Sequence, residues 1–144
     1  MMRARLLIGI AAISLFWSST TTRLMAEPCL PYYYGVKGAE TLTASQCRAF
    51  ESFIMGREIL KECQDLDWNY NALQAMKARE LLNLDDFRKG GLYYEVGLQA
   101  RRMVSHSLDS LLDTTMGTGY RHCSTGKILF GSGGSREEGL LLIK

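Results

Sequence analysis

The chain has 144 residues, a formal net charge of +2 and 47% hydrophobic residues, with four cysteines and two prolines. This length fits one domain and excludes a multidomain enzyme, and the near-neutral charge argues against nucleic-acid binding through a basic surface. The hydrophobic content is too high for a disordered chain.

The N-terminus has the pattern of a secretory signal peptide. Arg3 and Arg5 precede an uncharged, mostly apolar run over 6–17, and a small polar stretch then leads to a cleavage site after Ala26. The apolar run is shorter than the ~20 residues that a transmembrane helix needs. We therefore predict that residues 1–26 are a cleavable signal peptide, that the protein is exported (periplasmic or secreted), and that the mature chain has no integral membrane span.

Removal of residues 1–26 would leave 118 residues, with 14 basic and 15 acidic side chains and a net charge of −1. All four cysteines would remain, and an even number of cysteines in an exported chain favours two disulfides. After residue 26, Leu, Met and Ala outnumber Val and Ile by 28 to 7, which favours helices over strands. We predict an all-α fold, a small up-down bundle of three or four helices braced by two disulfides.

The predicted domain begins with an irregular N-terminal segment. Residues 27–43 hold both prolines and three consecutive tyrosines, and are called the tyrosine arm below. The pattern Thr43-x-x-Gln46 is that of a capping box, and it predicts a first helix that begins at Ala44 and ends at Leu66.

Two further helices follow within a predicted helical domain over residues 44–116. The segment 65–71 is rich in turn and cap residues, and it separates the first helix from a second that ends near Asn83. The third helix has apolar residues at three- and four-residue steps and ends before Gly117. Residues 117–144 contain seven glycines and are predicted to form a Gly-rich C-terminal tail.

The spacing of the cysteines restricts how they pair. Cys47 and Cys63 both lie on the predicted first helix, ~24 Å apart along its axis, whereas a disulfide needs Cα atoms within ~7 Å. In an up-down-up arrangement the third helix ends beside the end of the first, which places Cys123 near Cys63. The predicted disulfides are therefore Cys29–Cys47 and Cys63–Cys123.

Few residues indicate catalysis or metal binding. The carboxylates of Glu51, Glu58 and Glu62 on the first helix are the candidates for a general acid, a role that needs one carboxyl with a raised pKa. Oxygen ligands alternate over 65–71 as in the first half of a calcium loop, but the required glycine and bidentate glutamate are missing, which favours a capped turn. We assign no catalytic residue, no metal site and no cofactor.

These patterns predict an exported, non-catalytic helical protein that binds a protein or a cell-envelope component, and that does not bind nucleic acid. The alternatives are an inhibitor or immunity-type protein against an envelope hydrolase, a small envelope enzyme with a carboxylate acid, and a subunit of a larger assembly. Two segments combine aromatic or apolar side chains that suit an interface. The candidate partner-binding residues are Tyr32, Tyr33 and Tyr34 in the tyrosine arm and Leu140, Leu141, Leu142 and Ile143 at the C-terminus.

Overall fold

A computed structural model describes residue 29, residues 31–111 and residues 118–144. The predicted signal peptide, residues 1–26, lies outside this range. The described part is mostly helical and carries two disulfides and one small sheet. Its elements are α1 (Ala44–Glu62), β1 (Leu66–Trp68), α2 (Tyr70–Arg79), α3 (Tyr94–Leu111), α4 (Thr118–Phe130) and β2 (Leu141–Ile143), with short 3-10 helices at Pro31–Tyr33, Ala39–Thr41 and Leu84–Phe87.

Helix α1 begins where the sequence predicts. The Thr43 hydroxyl accepts a hydrogen bond from the backbone N–H of Gln46 at 3.1 Å, and the Gln46 side-chain oxygen accepts one from the N–H of Thr43 at 2.9 Å. This reciprocal pair satisfies two donors that a helix start leaves open, and it confirms the predicted capping box. The helix ends at Glu62, earlier than predicted, because the chain is extended from Leu66 onward.

The expectation of an all-α fold needs correction, because the chain also forms a two-stranded sheet. β1 and β2 pair antiparallel, with Leu66 opposite Ile143 and Trp68 opposite Leu141. The backbone N–H of Asn69 donates to Leu140 O at 3.0 Å and continues the pairing. A contact across more than 70 residues therefore sets the conformation just after α1. The up-down order of the helices stays a prediction.

The segment after Gly117, predicted as a tail, contains a helix and a strand. Gly126 lies in α4 and is buried against α1 and β1. A Cβ atom there would lie 2.6 Å from Leu66 Cδ1 and 2.9 Å from Ile59 Cγ2, closer than such atoms approach. This glycine, which by composition suggested flexibility, allows α4 to pack closely on its neighbours.

Helix α1 lies at the centre of the core and contacts α2, α3 and α4. The ring of Phe50 on α1 stacks on Phe87, with ring centroids 3.8 Å apart. The apolar stripe predicted on the third helix is buried as expected, at Val96, Ala100, Val104 and Leu108. Over the described ranges, none of the helices has both the length and the apolar character needed to cross a membrane.

Helix α2 begins with a cap inside the predicted cap-rich segment 65–71, but it ends earlier than predicted. Asn69 caps this helix, since its side-chain oxygen accepts from the N–H of Ala72 at 3.2 Å. The helix ends at Arg79, short of the predicted end near Asn83, and Leu81 has a positive φ of 53°, a conformation that a continuing helix does not contain.

Candidate functional site

The four cysteines form the two disulfides that the sequence predicts. The Cα atoms are 5.8 Å apart in Cys29–Cys47 and 5.0 Å apart in Cys63–Cys123. The first disulfide joins the tyrosine arm to the start of α1, and the second joins the end of α1 to α4. No thiol is left for nucleophilic or redox chemistry.

A buried polar cluster lies between the tyrosine arm, α1 and the segment before β2. The Tyr33 hydroxyl donates to Glu51 Oε1 at 2.7 Å, and Arg136 Nη2 donates to Glu51 Oε2 at 2.8 Å. Arg136 Nε also donates to Ser52 Oγ at 3.1 Å, and the Ser52 hydroxyl donates to the backbone oxygen of Arg48 at 2.8 Å. Each carboxylate oxygen of Glu51 thus has its own donor.

This arrangement gives Glu51 a structural role. Its residue is 7% exposed and Tyr33 is 2% exposed, so both groups need internal partners. Burial first, and then the hydrogen bond to Glu51, raises the pKa of Tyr33 above its ordinary value, which keeps the phenol protonated as the donor. A carboxylate held by two donors is not arranged to deliver a proton to a substrate.

The other two carboxylates proposed for catalysis lie in the C-terminal half of α1. Glu58 accepts from Lys61 and from Arg57, the latter at 3.2 Å. Partial burial opposes ionisation of Glu58, but the hydrogen bonds and charges of Lys61 and Arg57 outweigh it and hold the pKa of Glu58 below its ordinary value. Glu62 is exposed in the last turn of α1.

The structure divides the three tyrosines of the tyrosine arm. Tyr33 is buried in the polar cluster, while Tyr32 is 67% and Tyr34 is 96% exposed. The side-chain amide of Gln99 on α3 donates to the backbone oxygen of Tyr32 at 3.2 Å. The two outer tyrosines therefore project into solvent from backbone that is fixed on both sides.

The apolar C-terminal residues divide in the same way. Leu140 and Leu141 are buried in the core, whereas Leu142 is 49% and Ile143 is 68% exposed. Of these four apolar residues, Leu142 and Ile143 therefore have accessible side chains.

Sequence reasoning missed Arg136, the one cation of the buried cluster. It lies 85 residues after Glu51, in a glycine-rich stretch, and no spacing connects the two. The preference of buried carboxylates for a cationic partner was the only available signal, and it does not say which arginine supplies the charge.

Together these features define a mostly helical, disulfide-braced protein with exposed tyrosines on a fixed segment. Within the described ranges, no cluster of three or more His, Cys, Asp or Glu side chains could hold a metal ion. The chain matches no family model, and comparison with the curated proteins and with the solved structures found no similar protein.

Proposed function

We propose that this protein is exported and acts as a non-catalytic binding protein whose partner is a protein or a cell-envelope component. Export is supported by the targeting pattern of residues 1–26 and by the two disulfides, since disulfides persist in oxidising compartments. The binding role is supported by the way in which the tyrosine arm presents Tyr32 and Tyr34.

The exposed tyrosines are attached to a segment that is held at several points. Cys29 is linked to α1 by its disulfide, and its backbone N–H donates to Leu42 O at 3.1 Å. Tyr33, between the two exposed rings, is fixed by its hydrogen bond to Glu51. Binding through such a segment loses little conformational entropy, which favours affinity. Tyrosine also combines a large apolar ring with a polar hydroxyl, as interfaces prefer.

The surface next to these tyrosines is polar and carries both signs of charge. A shallow groove of about 340 Å³ lies beside Gly35 and is bordered by Lys37, Glu95 and Arg102. An aromatic patch with a charged rim is the usual composition of a protein–protein interface. The fixed backbone also suits the sharper form of the proposal, an inhibitor or immunity-type protein that blocks an envelope hydrolase with a preformed surface.

The alternative of a carboxylate enzyme has less support. Glu51 is committed to Tyr33 and Arg136, and Glu58 is held ionised by neighbouring cations. Both carboxylate oxygens of Glu51 are hydrogen-bonded and the pKa of Glu58 is lowered, whereas acid catalysis at a glycosidic or amide bond requires an accessible carboxyl with a raised pKa.

The proposal is tested by comparing capture of the partner by the wild type and by the double variant Tyr32→Ser/Tyr34→Ser, each exported in a tagged form and cross-linked before purification. We expect the partner to be lost from the double variant, with at least a tenfold drop in affinity, since truncation of one hot-spot tyrosine costs ~2 kcal/mol. Tyr70→Ser is the matched control, because Tyr70 is 65% exposed and belongs to α2 rather than to the tyrosine arm.

Equal capture by the wild type and the double variant would refute the role of the tyrosine arm. Cell fractionation tests export separately: deletion of residues 2–26 should leave the protein inside the cell with reduced cysteines. Recovery of that deletion variant outside the cytoplasm would refute the signal-peptide assignment.

A further inference from the structure

The segment between α4 and β2 is joined to the tyrosine arm through a single carboxylate. It covers residues 131–139, contains four glycines and neither helix nor strand, and is called the glycine loop below. Arg136 of this loop donates to Glu51 Oε2, while Tyr33 of the tyrosine arm donates to Glu51 Oε1. Two segments from opposite ends of the described chain therefore share one buried side chain.

Arg136 is the residue that compensates the buried charge of Glu51. Glu51 is 7% exposed, and its other partner, Tyr33, supplies a hydrogen bond but no positive charge. The ion pair from Arg136 to Glu51 measures 2.8 Å. A buried carboxylate without a counter-charge is unfavourable, so withdrawal of Arg136 would favour a state in which water reaches Glu51. That water would compete with the Tyr33 hydroxyl for the same carboxylate.

The glycine loop has fewer buried contacts than the elements on either side of it. All of its residues are exposed or half-buried, whereas Leu140 and Leu141, which follow it, are buried in the core. Its ion pair from Glu137 to Arg79 involves a side chain that is 55% exposed. Segments with exposed backbone and few buried apolar contacts open at a lower free energy than the whole domain. The glycine loop can therefore open while β2 stays paired with β1.

The part of the tyrosine arm that depends on Glu51 is the short turn around Tyr33. The start of the arm is fixed independently by the Cys29–Cys47 disulfide. Within the turn, the backbone N–H groups of Tyr34 and Val36 donate hydrogen bonds of 3.1 Å and 3.0 Å. The buried Tyr33 side chain anchors this turn on α1, so loss of its contact to Glu51 exposes these two amides more often.

We propose that the glycine loop controls the tyrosine arm through Glu51. While Arg136 is bound to Glu51, the arm is held in the conformation that presents Tyr32 and Tyr34, and opening of the glycine loop releases the turn around Tyr33. Because coupling between two sites is reciprocal, release of Tyr33 also loosens the glycine loop. The inference rests on the proposed function, since it describes how presentation of the exposed tyrosines is regulated.

The test is amide hydrogen exchange, followed residue by residue by NMR on the full chain with both disulfides formed and with no partner present. We expect Arg136→Gln to speed exchange at Tyr34 and Val36 about fivefold to thirtyfold, since their protection depends on local opening of the turn. Arg136→Lys, which keeps the charge, should restore most of this protection. Tyr33→Phe should speed exchange at Arg136 and Glu137 in the glycine loop by the reciprocal effect.

Two control variants separate this coupling from a general loss of stability. Gly56→Ala perturbs the core on α1, because its Cβ would lie 2.9 Å from the Trp68 ring, outside the contacts of Glu51. Arg79→Gln removes an ion pair to the glycine loop but leaves Arg136 in place. Neither variant should speed exchange at the two arm amides as much as Arg136→Gln does.

Two results would overturn the inference. One is equal acceleration of the two arm amides by Arg136→Gln and by either control variant. The other is wild-type exchange of the glycine loop in Tyr33→Phe. Circular dichroism verifies that each variant is folded, and Tyr33→Phe, which removes only a hydroxyl, decides the question if Arg136→Gln does not fold.

The outcome is separable from that of the proposed function, because the exchange measurement needs no partner. Coupled exchange together with partner capture that does not depend on Tyr32 and Tyr34 would refute the proposed function alone. Uncoupled exchange together with capture that does depend on these tyrosines would refute only the control by the glycine loop.

Discussion

The buried cluster around Glu51 predicts a large difference between two arginines that both bind glutamate. Arg136→Gln leaves the Glu51 carboxylate, 9% exposed, with only the Tyr33 hydroxyl as a donor. Removal of one partner from a fully buried ion pair costs about 3–5 kcal/mol. Because the Arg136 side chain is 31% exposed and water can replace part of it, we expect a loss of about 1.5–3 kcal/mol in the free energy of unfolding.

The matched control is Arg79→Gln, which removes ion pairs to Glu80 at 2.8 Å and to Glu137 at 3.0 Å from a side chain that is 55% exposed. This loss should be below about 1 kcal/mol. Urea denaturation at pH 7 measures both variants, and Glu51→Gln with its double variant completes a cycle in which the coupling to Arg136 should be about 1–2 kcal/mol. If Arg136→Gln costs no more than Arg79→Gln, or if the coupling is near zero, the cluster is not the stabilising contact argued above.

Three further outcomes follow from the contacts of the core. Because the pKa of Tyr33 is raised in the folded state, its contribution to stability is complete below about pH 10 and is lost as the pH rises above that value. An absorbance titration should show one tyrosine that ionises only when the protein unfolds, and this phase should be absent from Tyr33→Phe. Gly56→Ala should lower the free energy of unfolding, measured in urea, by about 1–3 kcal/mol, because the new Cβ atom would lie 2.9 Å from the Trp68 ring. Helix propensity alone favours alanine by about 1 kcal/mol, so a stabilised variant would contradict the packing. Replacement of Cys63 and Cys123 by alanine should lower the free energy of unfolding by about 4 kcal/mol, against about 3 kcal/mol for Cys29 and Cys47. The Cys63–Cys123 loop spans 60 residues rather than 18, so its closure restricts the unfolded chain more. The reverse order in thermal melting would contradict this loop-entropy account.

The features that the sequence predicted well depend on neighbouring residues. The capping box of Thr43 and Gln46 needs only four consecutive positions, and it appears as expected. The length of one helix excluded the pairing of Cys47 with Cys63, and the predicted up-down order of the helices then selected Cys63–Cys123. The buried stripe of α3 followed from its periodicity in the same way.

The features that the sequence missed depend on contacts across the whole chain. Leu66–Trp68 is three residues long and is extended because Leu141–Ile143 pairs with it, so its local pattern carries little signal. Helix α4 was hidden by glycine content, since Gly126 lowers helix propensity but is required by the nearby Leu66. The link from Arg136 to Glu51 is of the same kind, because it exists only once the C-terminal segment has folded onto α1.

Under the proposed function, the buried cluster around Glu51 holds the backbone that presents the exposed tyrosines. Tyr34 is almost fully exposed, so its position depends on the backbone that Tyr33 fixes between the two outer rings. Loss of the Tyr33 hydroxyl would leave the surface chemically unchanged but would remove one of the contacts that hold the segment. Part of the entropy of ordering that segment would then be lost at binding rather than at folding. Tyr33→Phe should therefore weaken partner binding through Tyr32 and Tyr34. A change at Tyr70, which is about as exposed as Tyr32 but lies on α2, should not.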